Sequence, residues 1–412
     1  MEIQLVEGGN TNRKIALAIA VAALLVGAYL ATRNMRPSSS KRNRPGVDLS
    51  SNPYAVPDGS VPELVTFLKE MPLEADGDQE AFARRRQLAA AAMISAAEKI
   101  MAQQPDKPAE AVAAKAQLMG LAMQVQSGDQ QAQDKLAQVS EELATSDNPD
   151  VAYEAGYFRL KLRTLDFPID DPAAVTEIVD GYAGLLAKGR KDQRLWGDAV
   201  NAAMFLGQIG QIEPARDALQ TFAEQLRASS HPEAAQLATQ LEDGHEKLDL
   251  VGQTFDVEGT TLQGDKLDWE SYRGKIVLVD FWATWCGPCI RDMPHLKQAY
   301  DQFHEHGFEI VGVNLDEYPN KPNVQRAVQH FQMDWTVLFG TSPETAGKGM
   351  PLAIQHNIRL IPAGILLDGE GKVITPLASG STLPILLAKL LNLKPDSTVE
   401  DKAAATEAHP SP

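Results

Sequence analysis

The sequence predicts a multidomain chain: an N-terminal transmembrane helix, an all-α region with helical-repeat spacing, and a C-terminal α/β domain. Three observations carry this. Residues 15–32 run for 18 positions without a charge, and residues 61–247 are rich in Ala, Leu, Gln and Glu at helical spacing. From Leu250 onward, short β-branched runs alternate with helical segments. A chain of 412 residues exceeds one ordinary domain, and 44% hydrophobic residues suffice for buried cores. The net charge of −17 argues against nucleic-acid binding.

Residues 1–14 form an N-terminal tail, and 15–32 would span about 27 Å as a helix, close to the hydrocarbon thickness of a bilayer. The end of that run, Gly27-Ala28-Tyr29-Leu30-Ala31-Thr32, has no clear small-x-small cleavage site, which favours an uncleaved single-pass anchor over a signal peptide. Two Lys/Arg residues precede the run and five follow it before Gly46, which assigns the C-terminal part to the cytoplasm. Cysteine usage points the other way, because a chain with no cysteine outside one pair avoids mispairing in an oxidising compartment. The two signals disagree; the expectation adopted is an extracytoplasmic, periplasmic location. Residues 33–60, rich in Ser, Pro, Asn and Arg, read as a flexible linker.

Across 61–247, breakers at Gln104-Pro105, Ser127-Gly128, Asn148-Pro149, Asp170-Asp171-Pro172, Gly189, Gly210 and His231-Pro232 cut the region into about eight helices. The run Ala202–Gly210 followed by Pro214–Leu219 resembles a tetratricopeptide unit, although other repeats are too loosely spaced to establish one. A partner-binding solenoid and a helical spacer both fit. Residues 248–394 follow as the α/β domain, with strands expected at Ile276–Phe281, Phe308–Val313 and Gly364–Leu367. Helices are expected near Cys289–His306 and Val324–Phe331 in a sheet covered on both faces. The acidic, Ala/Pro-rich tail at 395–412 is expected to be disordered.

Both cysteines lie in Trp285-Cys286-Gly287-Pro288-Cys289, directly after an apolar run. A Cys-x-x-Cys pair opening a helix after a buried strand suits thiol–disulfide exchange, since the helix N-terminus stabilises a thiolate. One sulfur attacks a disulfide and the other resolves the mixed disulfide. A zinc site needs two more ligands, and neither a third cysteine nor a suitably spaced pair among the eight histidines supplies them, so no metal is expected. A purely structural disulfide closing so short a loop constrains little of the unfolded chain.

The run Val277–Cys289 resembles the active-site strand and helix of thioredoxin. The continuation Ile290-Arg291-Asp292-Met293-Pro294-His295-Leu296, the preceding Gly274-Lys275 and the later Gly307–Asp316 are similar to the membrane-anchored TlpA/ResA-type branch of that superfamily. The resemblance covers about residues 249–393 and implies a thioredoxin fold with thiol-disulfide oxidoreductase activity. By position it makes Cys286 the exposed nucleophile, Cys289 the buried resolving thiol, and Asp280 a buried carboxylate that accepts the Cys289 proton. Ile361-Pro362 resembles the cis-proline loop, whose backbone receives an extended substrate strand. Trp285, Gly287 and Pro288 complete the expected substrate rim. Asp292 reads as solvated surface, and so does His295. Pro294 reads as a kink in the active-site helix, and the segments Asp316–Asn323 and Asp334–Pro351 as insertions typical of the branch.

The expected function is a membrane-tethered reductase of protein disulfides, because the Gly-Pro between the cysteines resembles the reducing members. Its cofactor is its own redox-active disulfide and no other. Its partners are protein disulfide substrates, a membrane or soluble thiol donor, the membrane itself through 15–32, and a protein bound by the helical region. One alternative is a thiol-dependent peroxidase of the peroxiredoxin-like type, which needs a lone cysteine in a Thr-rich setting. The other is a helical partner-binding scaffold with a redox-regulated thioredoxin domain.

Overall fold

The computed structural model describes residues 53–72, 79–165, 167, 171–347 and 350–392. The expected anchor at 15–32, most of the linker and the tail at 395–412 lie outside the described residues. Among the described residues no helix is long and apolar enough to cross a membrane. They form two compact units, divided between Leu195 and Trp196.

The first unit is helical: α1 (Val61–Glu70), α2 (Gln79–Ala102), α3 (Lys107–Gln126), α4 (Gln130–Ala144), α5 (Pro149–Leu165) and α6 (Pro172–Leu186). Its ends fall where the sequence places breakers. The carboxylates of Asp106, Asp129 and Asp171 each accept a backbone N–H of the first turn that follows, satisfying donors that have no intrahelical partner. Gly128 and Gly189 take positive φ just past helix C-termini, a conformation free of cost only for glycine. Arg194 donates to Glu154 at 3.0 Å and to Asp192 at 2.7 Å, with Lys115 3.3 Å from Glu154. This network joins α3 and α5 to the start of α7 (Gln193–Gln208).

The second unit begins within α7 and continues through α8 (Ile212–Ala228) and α9 (Pro232–Lys247) into a five-stranded sheet. Composition changes near residue 248, but packing changes at 196, because α7 packs Gly207 on the sheet as well as packing on its neighbouring helices. Thr375 donates its Oγ1–H to the Gly207 carbonyl at 2.6 Å, and a Cβ on Gly207 would lie 2.5 Å from Leu377 Cδ1. Gly210 lies 3.7 Å, from its Cβ position, to Leu386 Cδ1. Gly244 is closed in by Met204 and Leu219, which fixes the α8–α9 hairpin.

The strands are β1 (Ile276–Trp282), β2 (Phe308–Asn314), β3 (Thr336–Leu338), β4 (Ala363–Leu367) and β5 (Val373–Ala378), in the order β3-β2-β1-β4-β5. β1 is central, parallel to β2 and antiparallel to β4, and six of its seven residues are buried. That explains a run apolar at every position but Asp280. Alternation sends Leu278 and Trp282 to one face, covered by α10 (Gly287–Phe303), α11 (Lys321–His330) and α13 (Leu383–Leu390). Val277, Val279 and Phe281 face the other side, against Phe255, Val257 and α12 (Pro351–Gln355). The expected two-sided coverage is present; β3, β5 and α13 are additions to the expected elements.

Two glycines in helix interiors separate packing from propensity. Gly184 in α6 is exposed, with open space around its Cβ position, so Gly184→Ala is expected to stabilise by about 0.5–1 kcal/mol. Gly207→Val is expected instead to destabilise by roughly 1–3 kcal/mol, since the side chain must displace buried Leu377. Urea unfolding midpoints of the full chain read both, and a stabilised Gly207→Val protein contradicts the packing described.

Candidate functional site

β1 delivers the chain to the edge of the sheet at Trp282, which is the register partner of Asn314 in β2. Four residues then turn it, and α10 starts at Gly287 with Cys286 as its N-cap and Pro288 in its first turn, where a missing N–H costs nothing. Cys286 and Cys289 form a disulfide with a Cα–Cα separation of 5.3 Å. The Cys289 backbone N–H points at Cys286 Sγ, 3.2 Å away. An opened Cys286 thiolate at this position is met by the unpaired N–H groups and positive end of α10. Pro294 lies inside the helix and withholds one further N–H.

The expected difference in access is small in the oxidised state. Cys286 is 5% exposed and Cys289 2%, whereas Trp285 between the strand and the pair is 65% exposed. The expectation of an exposed Cys286 is therefore corrected for the disulfide form: its sulfur is tied inward to Cys289. Gly287 and Pro288 are exposed beside it, and Trp282 is wholly buried beneath.

Asp280 lies two residues before Trp282 and so faces the same side of the sheet as the cysteine helix. Its register partners on both neighbouring strands are glycines, Gly312 and Gly364. The carboxyl is buried, and desolvation, reinforced by the charge of Asp292, pushes its pKa up to about 8. No cation pairs with it among the described residues.

Asp292 is not solvated surface. Its side chain is 19% exposed and accepts the backbone N–H of Gly380 at 2.9 Å, while His295 Nδ1 stands 3.4 Å from its other oxygen. Gly380 must be glycine here, because a Cβ would lie 2.9 Å from the Asp292 carboxylate and 3.0 Å from Leu296 N. His295 is half-exposed, and its hydrogen bond to Asp292 raises its pKa. Asp292 was misread because Gly380 is 88 residues away and carries no side chain to signal the contact.

Ile361-Pro362 is a cis peptide. Ala363 is opposite Phe281, so the antiparallel register brings Pro362 alongside the end of β1, next to the turn that carries Trp285. Pro362 is exposed and Ile361 half-buried against the cluster that includes both cysteines. Leu360, which the sequence reading did not single out, is 53% exposed and extends this apolar edge.

Beneath the turn lies a further missed residue, Asp316, with no exposed surface. Its carboxylate accepts the Thr284 N–H at 2.7 Å, the Thr284 hydroxyl at 2.5 Å and the Asn314 side-chain amide at 3.0 Å.

The family model described as Redoxin matches residues 249–377. The thiol-disulfide oxidoreductase ResA of Bacillus thuringiensis subsp. konkukian is 29% identical over 150 residues, covering 36% of this chain and 82% of that protein. ResA of Halalkalibacterium halodurans is 29% identical over 136 residues, 33% of this chain and 72% of its own. Among solved structures, the thioredoxin domain of a thiol-disulfide oxidoreductase from Bacteroides vulgatus has a TM-score of 0.31 and 26% identity, covering 34% of this chain and 98% of that one.

Asp280 carries a pH signature. Its folded pKa of about 8 lies above the ordinary 3.8, so it costs no stability below pH 4 and increasingly destabilises the fold as pH rises to 8. Asp280→Asn is expected to leave the unfolding midpoint of the oxidised protein unchanged near pH 3.5. At pH 8.5 it should raise stability by on the order of a few kcal/mol. Urea titrations at the two pH values measure this, and an equal effect at both excludes a buried, raised carboxyl.

Proposed function

From a C-terminal domain of the TlpA/ResA type within the thioredoxin superfamily, we propose a membrane-tethered reductase of protein disulfides. The chain is a thiol-disulfide oxidoreductase. The direction, the tether and the residue roles are the proposed part. The observation that supports the residue roles is the Cys286–Cys289 pair at the N-terminus of α10, on the sheet face to which Asp280 turns its raised carboxyl; the direction rests on the resemblance of Gly287-Pro288 to the reducing members and the tether on the apolar run at 15–32.

In the reduced protein, the Cys286 thiolate attacks one sulfur of a substrate disulfide. The substrate S–S bond breaks, its leaving thiolate takes a proton from solvent, and a Cys286–substrate disulfide forms. Cys289 then gives its proton to ionised Asp280, and its thiolate attacks Cys286 Sγ. The mixed disulfide breaks, the second substrate sulfur departs as a thiolate that takes up the proton held by Asp280, and two electrons have passed from the dithiol to the substrate. A thiol donor, in the membrane or soluble, restores the dithiol by the reverse exchange.

Substrate contact is assigned to Trp285, Gly287, Pro288, Ile361 and Pro362. Trp285 and Pro362 present exposed apolar surface beside the pair, and the Ile361 backbone is the ledge for an extended strand. The apolar run at 15–32 is the proposed tether, with the redox domain on the extracytoplasmic side. The helical region is proposed to bind a protein partner.

Cys289→Ser is expected to accumulate a mixed disulfide on Cys286, seen as a reducible higher-mass band on non-reducing gels. Cys286→Ser should abolish reduction of a protein disulfide such as insulin supplied with dithiothreitol. A folded wild-type chain that reduces no protein disulfide under these conditions rules the reductase reading out.

A further inference from the structure

We propose that Asp316 is a positioning residue for the attacking thiol: through Thr284 it holds the Trp285-Cys286 turn on the N-terminus of α10 when the disulfide is open.

The contact follows from strand register. β1 and β2 are parallel and end together at Trp282 and Asn314, so the residues two positions beyond each end, Thr284 and Asp316, meet. Leu315 N–H donates to the Trp282 carbonyl at 2.8 Å and extends the ladder by one bond. Beyond it the backbone diverges, and Asp316 replaces the ladder with two bonds to one residue, the Thr284 amide at 2.7 Å and hydroxyl at 2.5 Å. The carboxylate is itself held. Asn314 donates from its side chain at 3.0 Å and accepts the Asp316 N–H at 3.0 Å, and Gly347 N–H caps the Asp316 carbonyl at 3.0 Å.

None of these atoms is sulfur. The turn between β1 and α10 has two kinds of restraint in the oxidised protein: the covalent bridge Cys286–Cys289 and the hydrogen bonds around Ala283 and Thr284. Reduction removes the first and leaves the second. A Cys286 thiolate gains from the helix N-terminus only while Sγ stays in the capping position, and that interaction falls off within a turn. A carboxylate with no exposed surface is costly unless it is fully bonded, so its placement against Thr284, two residues before Cys286, calls for such a use. Asp316 also brings a negative charge that disfavours the thiolate. The diagnostic change is therefore on Thr284, which loosens the hold without altering the charge.

The inference rests on Cys286 being the attacking thiol, but its test needs no substrate, so a failure to reduce protein disulfides would not be mistaken for its failure. In the full chain, Thr284→Val removes the hydroxyl bond and is close in shape, while Thr284→Ser keeps the bond. Thr284→Val is expected to lower the fraction of Cys286 thiolate at pH 7 about threefold to tenfold, measured by the pH dependence of alkylation. Because the dithiol form is the one weakened, the equilibrium with glutathione should move toward the disulfide, which is a more negative potential. Thr284→Ser should return both to wild-type values. Unchanged thiolate fraction and potential in Thr284→Val, with only a lower unfolding midpoint, would falsify the role. So would equal shifts in Thr284→Ser. Amide hydrogen exchange in the wild-type chain supplies a check free of variants: the Thr284 N–H should remain protected after reduction. Its free exchange in the dithiol form overturns the proposal.

Discussion

The parallel pairing of β1 with β2, in register from Ile276↔Phe308 to Trp282↔Asn314, is the constraint on which the site depends. Because the two strands end level, the polypeptide leaves the sheet at one edge with two loops side by side. One loop becomes the cysteine turn and the other supplies Asp316 beneath it. The same register sets the faces. With period two, Asp280, Leu278 and Trp282 turn toward α10, whose first turn carries the disulfide. A slip of one residue would turn Asp280 away from the cysteine helix and bring Phe281 toward it.

Two buried carboxyls at this edge are treated in opposite ways. Asp316 is held by three donors, the Thr284 N–H and hydroxyl and the Asn314 side-chain amide, and behaves as a fixed part of the framework. Asp280 has no cation beside it among the described residues, is flanked by Gly312 and Gly364, and is pushed up to about 8 by burial and by Asp292. The physical difference is the supply of N–H and O–H groups. A carboxyl given them is held in place by hydrogen bonds, and one denied them, as at Asp280, has its pKa raised by desolvation. Placing both within one strand-end environment gives the site a rigid acceptor and a titratable one.

The sequence was most legible where a local signal had a local cause. Helix ends at Asp106, Asp129 and Asp171 are readable because caps and breakers act within four residues. β1 and the start of α10 are readable because the apolar run and Cys286-Gly287-Pro288-Cys289 are contiguous. Three-residue β3 is too short to show alternation, and β5 contains Pro376 and buried Thr375, which obscure its pattern. Asp292 and Asp316 escaped for another reason. Their partners, Gly380 and Thr284, are 88 and 32 residues away, and one of those partners is only a backbone N–H. Likewise, the small residues of α7 look like helix–helix contacts, and nothing local distinguishes Leu377 of a strand from a leucine of a neighbouring helix.

In the proposed resolution step, the raised pKa of Asp280 sets how well it would accept the Cys289 proton. An ordinary carboxylate near 3.8 is a far weaker base than a thiolate near 8.5, so transfer between them is uphill by about 6 kcal/mol. At about 8 the mismatch falls to under roughly 1 kcal/mol, so the resolving thiolate can form inside the protein without reaching solvent. The cost is occupancy: with a pKa of about 8, only about one carboxyl in ten is ionised at pH 7 and able to accept. Since resolution is intramolecular, a minority of competent base is compensated by proximity, whereas a badly mismatched base would tax every turnover. Burial of Asp280 therefore exchanges a modest loss of population for a large reduction of the transfer step. Asp292 adds its charge to desolvation, which makes Asp280 a stronger base when ionised and leaves a smaller share of it ionised.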